Sequence, residues 1–218
     1  MPAKNINLHG NAPDHGPVAL LLIDVINDLD FEGAEALVEY AQPMAARIFA
    51  LRERARRAKI PIIYVNDNFG RWQSDFNKII DHCLQDDVPG RSMVERLRPT
   101  EDDYFVLKPK HSGFFSTTLD ILLEYLDVKT IILAGVAGNI CVLFTANDAY
   151  MRDYNLVVPS DCVASNTKEE NDNALEQMQK VLKADIRPST EIDFDELARQ
   201  ATNSSEPMSE HPEAPHFA

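Results

Sequence analysis

The stretch VALLLI, residues 18–23, is apolar throughout and is closed by Asp24. A strand with one wet face alternates apolar and polar residues. A run without alternation reads as a strand buried on both faces, the situation inside a parallel sheet covered by helices. The pattern returns as IPIIYV at 60–65, YFVL at 104–107, TIILAGV at 130–136 and NLVVP at 155–159, with a shorter stretch at 184–187.

Helical patterns fill the intervals. Pro43 opens one, in which Met44, Ile48, Leu51 and Ala55 recur at steps of three and four with arginines between them. Others are expected near 76–84, at 116–126 behind the hydroxyl caps of STT, at 139–152, and at 168–182 with Leu175, Met178 and Leu182 facing inward. Strands alternating with helices predict an α/β chain: a single-domain, three-layer α/β/α sandwich around a mainly parallel, doubly wound sheet of about six strands. The domain is expected over 18–200, after an N-terminal lead-in at 1–17. The polar, proline-punctuated segment 201–218 lacks an apolar period and reads as a disordered acidic tail.

Composition narrows the function. The 218 residues are 44% hydrophobic and carry a net charge of −14. A nucleic-acid binder presents a basic face, and the one basic cluster here, RERARRAK at 52–59, is broken by Glu53 in an acidic chain and reads as a solvated helix face. Nucleic acid is therefore not an expected partner. The apolar runs are far shorter than the roughly 20 residues of a membrane span, and the N-terminus has no secretory pattern. Cys83, Cys141 and Cys162 are widely separated, with no CxxC, which suits a reduced compartment. A cytoplasmic location is expected.

In open parallel sheets, ligands bind beyond the carboxyl ends of the strands. Three such ends carry reactive residues: Asp24 in LLIDVIND, Lys108 in VLKPKHSGFFST, and Cys141 in GVAGNICV. Taken singly, Asp24 reads as a solvated or capping carboxylate, Lys108 as a surface lysine and Cys141 as a small core residue; Cys83 and Cys162 are read as core. Together they make a different site. A helix start and an ammonium both stabilise a thiolate. A carboxylate takes and returns the thiol proton, and backbone N–H groups at the helix start receive an oxyanion. Gly135 and Gly138 permit a sharp turn there.

With those three segments in order, the chain resembles the isochorismatase-like cysteine hydrolases, a group that includes isochorismatases, nicotinamidases and N-carbamoylsarcosine amidases. Asp24 sits in a DxxND strand end. Lys108, Ser112, Phe114, Thr117 and Leu119 match K…SxFxxTxL, and Gly135, Val136, Asn139, Cys141 and Val142 match GVxxNxCV. The resemblance implies a triad of Asp24, Lys108 and Cys141. It also implies a cis peptide between Val136 and Ala137, and an oxyanion hole formed by the Ala137 and Cys141 N–H groups. Asp24 would accept the thiol proton and later activate water, while Lys108 lowers the thiol pKa. The implied reaction is hydrolysis of the C–N bond of a small amide or carbamoyl-type substrate through a thioester, with no cofactor, in a homodimer or homotetramer.

The sequence departs from that family twice. Gly138 stands where threonine is common, which loosens the loop or makes space. Where the metal-binding nicotinamidases carry an Asp-x-His element, this chain reads YVNDNFGRWQSDF: Asp67 is present, Phe69 replaces the histidine, and His82 alone is near. No catalytic metal is expected. Asn66, Asn68, Phe69 and Trp72 either line the pocket or form an ordered surface loop, and Val136 is assigned with Asn68, Phe69 and Trp72 to substrate binding. Phe114 and Phe115 serve an interface, the pocket rim or helix-start packing. Two other functions stay open: vinyl-ether hydrolysis with Asp24 as acid and Cys141 dispensable, and non-catalytic binding.

Overall fold

The computed structural model describes residues 15–70, 75–85 and 87–203. Among them, six strands form one all-parallel sheet: β1 (Val18–Ile23), β2 (Ile62–Asp67), β3 (Tyr104–Lys108), β4 (Thr130–Val136), β5 (Asn155–Val157) and β6 (Val163–Ala164). The order is β3-β2-β1-β4-β5, with β6 pairing with β4 beyond the end of β5. The chain moves outward from β1 to β3, then returns to the other side of β1 as β4. The switch in winding therefore falls between β1 and β4, where a crevice opens at the carboxyl edge of such a sheet.

The lack of alternation in β1 has a direct cause. Val18, Leu20 and Leu22 pack with α1 (Ala34–Arg57), α2 (Phe76–Gln85), α3 (Arg91–Leu97) and α7 (Phe194–Asn203). Ala19, Leu21 and Ile23 pack with α4 (Leu119–Tyr125), α5 (Leu143–Tyr150) and α6 (Lys168–Lys180). Each side of the sheet has its own apolar core, so neither set of side chains can be polar.

Several boundaries differ from the sequence reading. The helix expected to open at Pro43 begins at Ala34, after Gly33 in the left-handed conformation with φ 84°. Its apolar period runs upstream through Ala34, Leu37 and Ala41, all buried. Pro43 lies inside the helix on its exposed side, as does Glu39, so water can serve the Glu39 carbonyl that Pro43 cannot. The strand expected at 184–187 is a single bridge between Val157 and Asp185. α3, α7 and β6 had no counterpart in the sequence reading. α7 runs through Asn203, so 201–203 are helical and not tail. Residues 1–14 and 204–218, most of the expected lead-in and tail, lie outside the described residues. Among the described residues, no helix is long and apolar enough to cross a membrane.

The carboxyl end of β4 carries a glycine where no side chain fits. Gly135 pairs with Ile23, has φ 125°, and leaves no room for a Cβ, which would stand 2.0 Å from the Ile23 carbonyl oxygen. Gly135 lies between the two strand ends from which Asp24 and the Cys141 turn emerge, so its left-handed conformation is part of the backbone that leads into the site. Gly135→Ala is expected to cost about 3 kcal/mol or more through clash and backbone strain. That lowers the melting temperature by roughly 6–12 °C in a chain of this size. A melting temperature within about 2 °C of wild type would contradict this reading of the strand contact.

Candidate active site

Lys108 is the last residue of β3, and its side chain has no solvent exposure. It crosses the end of β2 to reach β1, where its Nζ lies 2.8 Å from Asp24 Oδ2. On the way it passes Asp67, its register partner on β2, whose Oδ2 is 3.6 Å away. The same Nζ lies 3.5 Å from Cys141 Sγ. The ends of two strands and one helical turn thus bring a carboxylate, an ammonium and a thiol to one point.

Each group is held from behind. Asp24 follows β1 in the left-handed conformation, φ 50°, and its N–H donates to the Val65 carbonyl at 3.0 Å. Its Oδ1 accepts the Asp67 N–H at 2.6 Å. The helix expected at 139–152 begins instead as a π-helical turn, Gly138–Val142, which carries Cys141 into α5. The peptide from Val136 into that turn is cis. Thr145, fully buried, donates from Oγ1 to the Cys141 carbonyl at 2.7 Å and accepts the Gly113 N–H at 3.0 Å. Ser112 Oγ bonds Asp148 of the same helix. The segment after β3 is thereby clamped to the cysteine's helix, so closely that a Cβ at Gly113 would stand 2.8 Å from Val65 Cγ1.

The Gly138 departure has a steric reason. A Cβ there would meet Asn171 Oδ1 at 2.5 Å and Val163 Cγ1 at 2.6 Å. Nearly buried Ser165 presses on the same turn, its Oγ accepting the Asn139 N–H at 3.1 Å. The turn is packed tightly and is not loosened by the glycine.

The remaining sequence candidates separate. Asn66 is fully buried, accepting the Ile26 N–H at Oδ1 and donating to the Ile26 carbonyl from Nδ2 at 2.6 Å. It fastens the segment after β1 and does not line an open pocket. Asn68 is buried and caps a tight turn by accepting the Gly70 N–H, whereas Phe69 is exposed with φ 52°. Val136 is buried in the core, which leaves its backbone, and not its side chain, to face the crevice. Trp72 lies outside the described residues. Phe114 is buried beneath Arg152, whose guanidinium lies 4.7 Å from the ring centre, while Phe115 is exposed. His82 bonds Asp28 at 3.0 Å. Among the described residues, no three His, Cys, Asp or Glu side chains form a group that could hold a metal ion.

Two neighbours of the triad had no part in the expected site. Asp67 supplies a second carboxylate to Lys108. His111 places Nδ1 3.9 Å from Cys141 Sγ. The signal for it was in plain view, a histidine three residues after Lys108, but a loop residue gives no direction from sequence alone.

The charge state follows from burial. Burial pushes the Asp24 carboxyl up, against the pull of Lys108. Burial pulls the Lys108 ammonium down, but Asp24, then Cys141, more than reverse this and hold it protonated. Burial and then Asp24 push the Cys141 thiol up to about 12, and Lys108 only partly offsets them. Burial and Asp24 thus favour the thiol form of the sulfur, and Lys108 favours the thiolate. Lys108 lowers the thiol pKa as expected, but burial and the Asp24 carboxylate outweigh it.

The comparisons agree with this geometry. The profile of the isochorismatase domain matches residues 18–186. The chain is 45% identical over 174 residues to YaaI of Bacillus subtilis, an uncharacterized isochorismatase family protein, covering 80% of this chain and 95% of that one. It is 32% identical over 161 residues to a probable inactive nicotinamidase of Arabidopsis thaliana, covering 69% of this chain and 82% of the relative. The crystal structure of N-carbamoylsarcosine amidase from Thermoplasma acidophilum superposes with a TM-score of 0.65 at 28% identity, over 81% of this chain and 98% of that one. The class is a hydrolase whose α/β fold is built on a parallel sheet. Within it, the chain belongs to the isochorismatase family.

Replacing Lys108 by methionine keeps bulk but strands the Asp24 charge in the interior, at an expected cost of about 3–5 kcal/mol near pH 8. Without the ammonium, the folded-state pKa of Asp24 rises further above its unfolded value. The folded state then binds the extra proton, and stability is regained as pH falls. Urea denaturation of Lys108→Met should show its deficit against wild type narrowing from about pH 8 to about pH 5. A deficit that stays constant or widens toward acid would show that Asp24 is not left as the uncompensated charge.

Proposed function

We propose that the protein hydrolyses the C–N bond of a small amide or carbamoyl-type substrate, with Cys141 as nucleophile. The observation that carries this reading is the meeting of Cys141 Sγ and Asp24 at the one Lys108 ammonium, at 3.5 and 2.8 Å. A thiol that is neutral at rest has to lose its proton as it attacks, and Asp24 is its hydrogen-bonding neighbour. Moving the proton from sulfur to the carboxylate changes no net charge in the pocket. Lys108 neutralises one anion before the transfer, on oxygen, and one after it, on sulfur. The new C–S bond forms while the Ala137 and Cys141 N–H groups receive the carbonyl oxygen's charge. Asp24 then protonates the departing nitrogen, the C–N bond breaks, and water cleaves the remaining thioester. The amidase activity named for the Thermoplasma acidophilum protein is consistent with this chemistry.

A second reading keeps Asp24 and drops the thiol. Burial raises the Asp24 carboxyl and leaves Cys141 protonated, which also suits an acid that protonates a vinyl ether. One experiment separates the two. Ammonia release from a panel of small carboxamides and N-carbamoyl compounds should fall at least about 10³-fold in both Cys141→Ala and Asp24→Asn. Activity lost in Asp24→Asn but kept in Cys141→Ala, whatever the substrate, would remove the nucleophilic role and favour the vinyl-ether reading.

A further inference from the structure

Three charged side chains meet beside the thiol, and their charges do not cancel. Lys108 supplies one ammonium, whereas Asp24 and Asp67 supply two carboxylates, 2.8 and 3.6 Å from the same Nζ. The Lys108 and Asp24 side chains are 0% and 6% exposed, so that pair is sealed inside. The Asp67 side chain is 35% exposed. The uncompensated negative charge of the site is therefore the one that faces solvent.

Asp67 is also held in place. It ends β2, its Oδ1 accepts the Phe69 N–H at 2.6 Å, and its own N–H donates to Asp24. The next N–H, that of Asn68, donates to the Lys108 carbonyl at 3.0 Å and ties the turn to β3. A carboxylate on a free surface side chain swings away from an incoming anion, whereas this one is pinned through its own oxygen. Lys108 Nζ is 3.5 Å from Cys141 Sγ and 3.6 Å from Asp67 Oδ2, which keeps the carboxylate within the length of a small amide of the sulfur. At that range, partly shielded from water, a unit charge changes the local concentration of a charged molecule several-fold.

We infer that Asp67 is a specificity-determining residue that sets the charge of the substrate. Small amides or carbamoyl compounds that are neutral, or that carry an ammonium, are admitted; those with a carboxylate near the scissile bond are disfavoured. The inference rests on the cysteine reading proposed above and names the substrate class of that same site. Lys108 offers no pairing to a substrate carboxylate, because it is sealed from solvent and already matched by Asp24. His111, 3.9 Å from Sγ, is a further titratable neighbour, and as a neutral imidazole it leaves the balance unchanged.

The test compares two alkylating agents of nearly equal size and different charge, neutral iodoacetamide and anionic iodoacetate. Wild type, Asp67→Asn and Asp67→Glu are treated at low salt and about pH 8.5, above the ordinary imidazole range. Asparagine keeps the acceptor for the Phe69 N–H and removes the charge, while glutamate keeps the charge. Mass spectrometry gives the rate at Cys141. The iodoacetate-to-iodoacetamide ratio, normalised to 2-mercaptoethanol, cancels changes in thiol reactivity common to both reagents. That ratio should lie about fivefold or more below the free-thiol value in wild type and Asp67→Glu, and rise about threefold or more in Asp67→Asn. Ammonia release should follow the same order, faster from 3-aminopropanamide and butanamide than from succinamate, with succinamate gaining in Asp67→Asn. A ratio unmoved by Asp67→Asn, or succinamate turned over faster than butanamide by wild type, would overturn the role given to Asp67. Cys141 unlabelled by either reagent, with no ammonia from any of the three amides, would instead remove the nucleophilic role of Cys141, a failure recognisable because wild type and variants share it.

Discussion

An ammonium with no solvent exposure stays charged only if a carboxylate stands against it, and Lys108 has Asp24 at 2.8 Å. The site is arranged around this ion pair. It requires Lys108 to reach across β2, which the order β3-β2-β1-β4 allows, and requires Asp24 to turn back from β1 in the left-handed conformation. It also draws in Asp67, whose N–H and carboxylate address Asp24 and Lys108 respectively. The hydrophobic sheet pays for this buried charge.

The pair also decides what the sulfur is. A lysine beside a cysteine suggests a thiolate, yet the pocket already holds the anion that Lys108 neutralises. A second anion would be unpaired in a buried environment, so burial and Asp24 together favour the protonated sulfur. The useful property of the site is then that a proton can move between two groups with little change in the field around Lys108.

Much of the sheet was legible because burial on both faces writes unbroken apolar runs, and β1 and β4 match those runs residue for residue. The misses have physical causes. Pro43 reads as a helix start because proline favours the first turn, yet the apolar period of Ala34, Leu37 and Ala41 outweighs it on an exposed face. β6 is only two residues long, fixed by pairing with β4 rather than by its own pattern. At the site, the meeting of Asp24, Lys108 and Cys141 was foreseeable from strand ends and motif spacing. Gly138's packing against Asn171, the turn of His111 toward sulfur, and the raised thiol pKa were not. Each depends on distances between segments that are remote in sequence, and the last on how dry the pocket is.

The most direct test of this account is the pH dependence of Cys141 alkylation by iodoacetamide, resolved by mass spectrometry from Cys83 and Cys162. A free thiol gives a midpoint near 8.5. With the proton held on sulfur by burial and Asp24, the rate at Cys141 should keep rising through about pH 9.5 without a plateau, and the rise should come earlier in Asp24→Asn. A wild-type plateau reached below about pH 8 would mean that Lys108 stabilises a resting thiolate. The shared proton between Asp24 and Cys141 would then have to be abandoned.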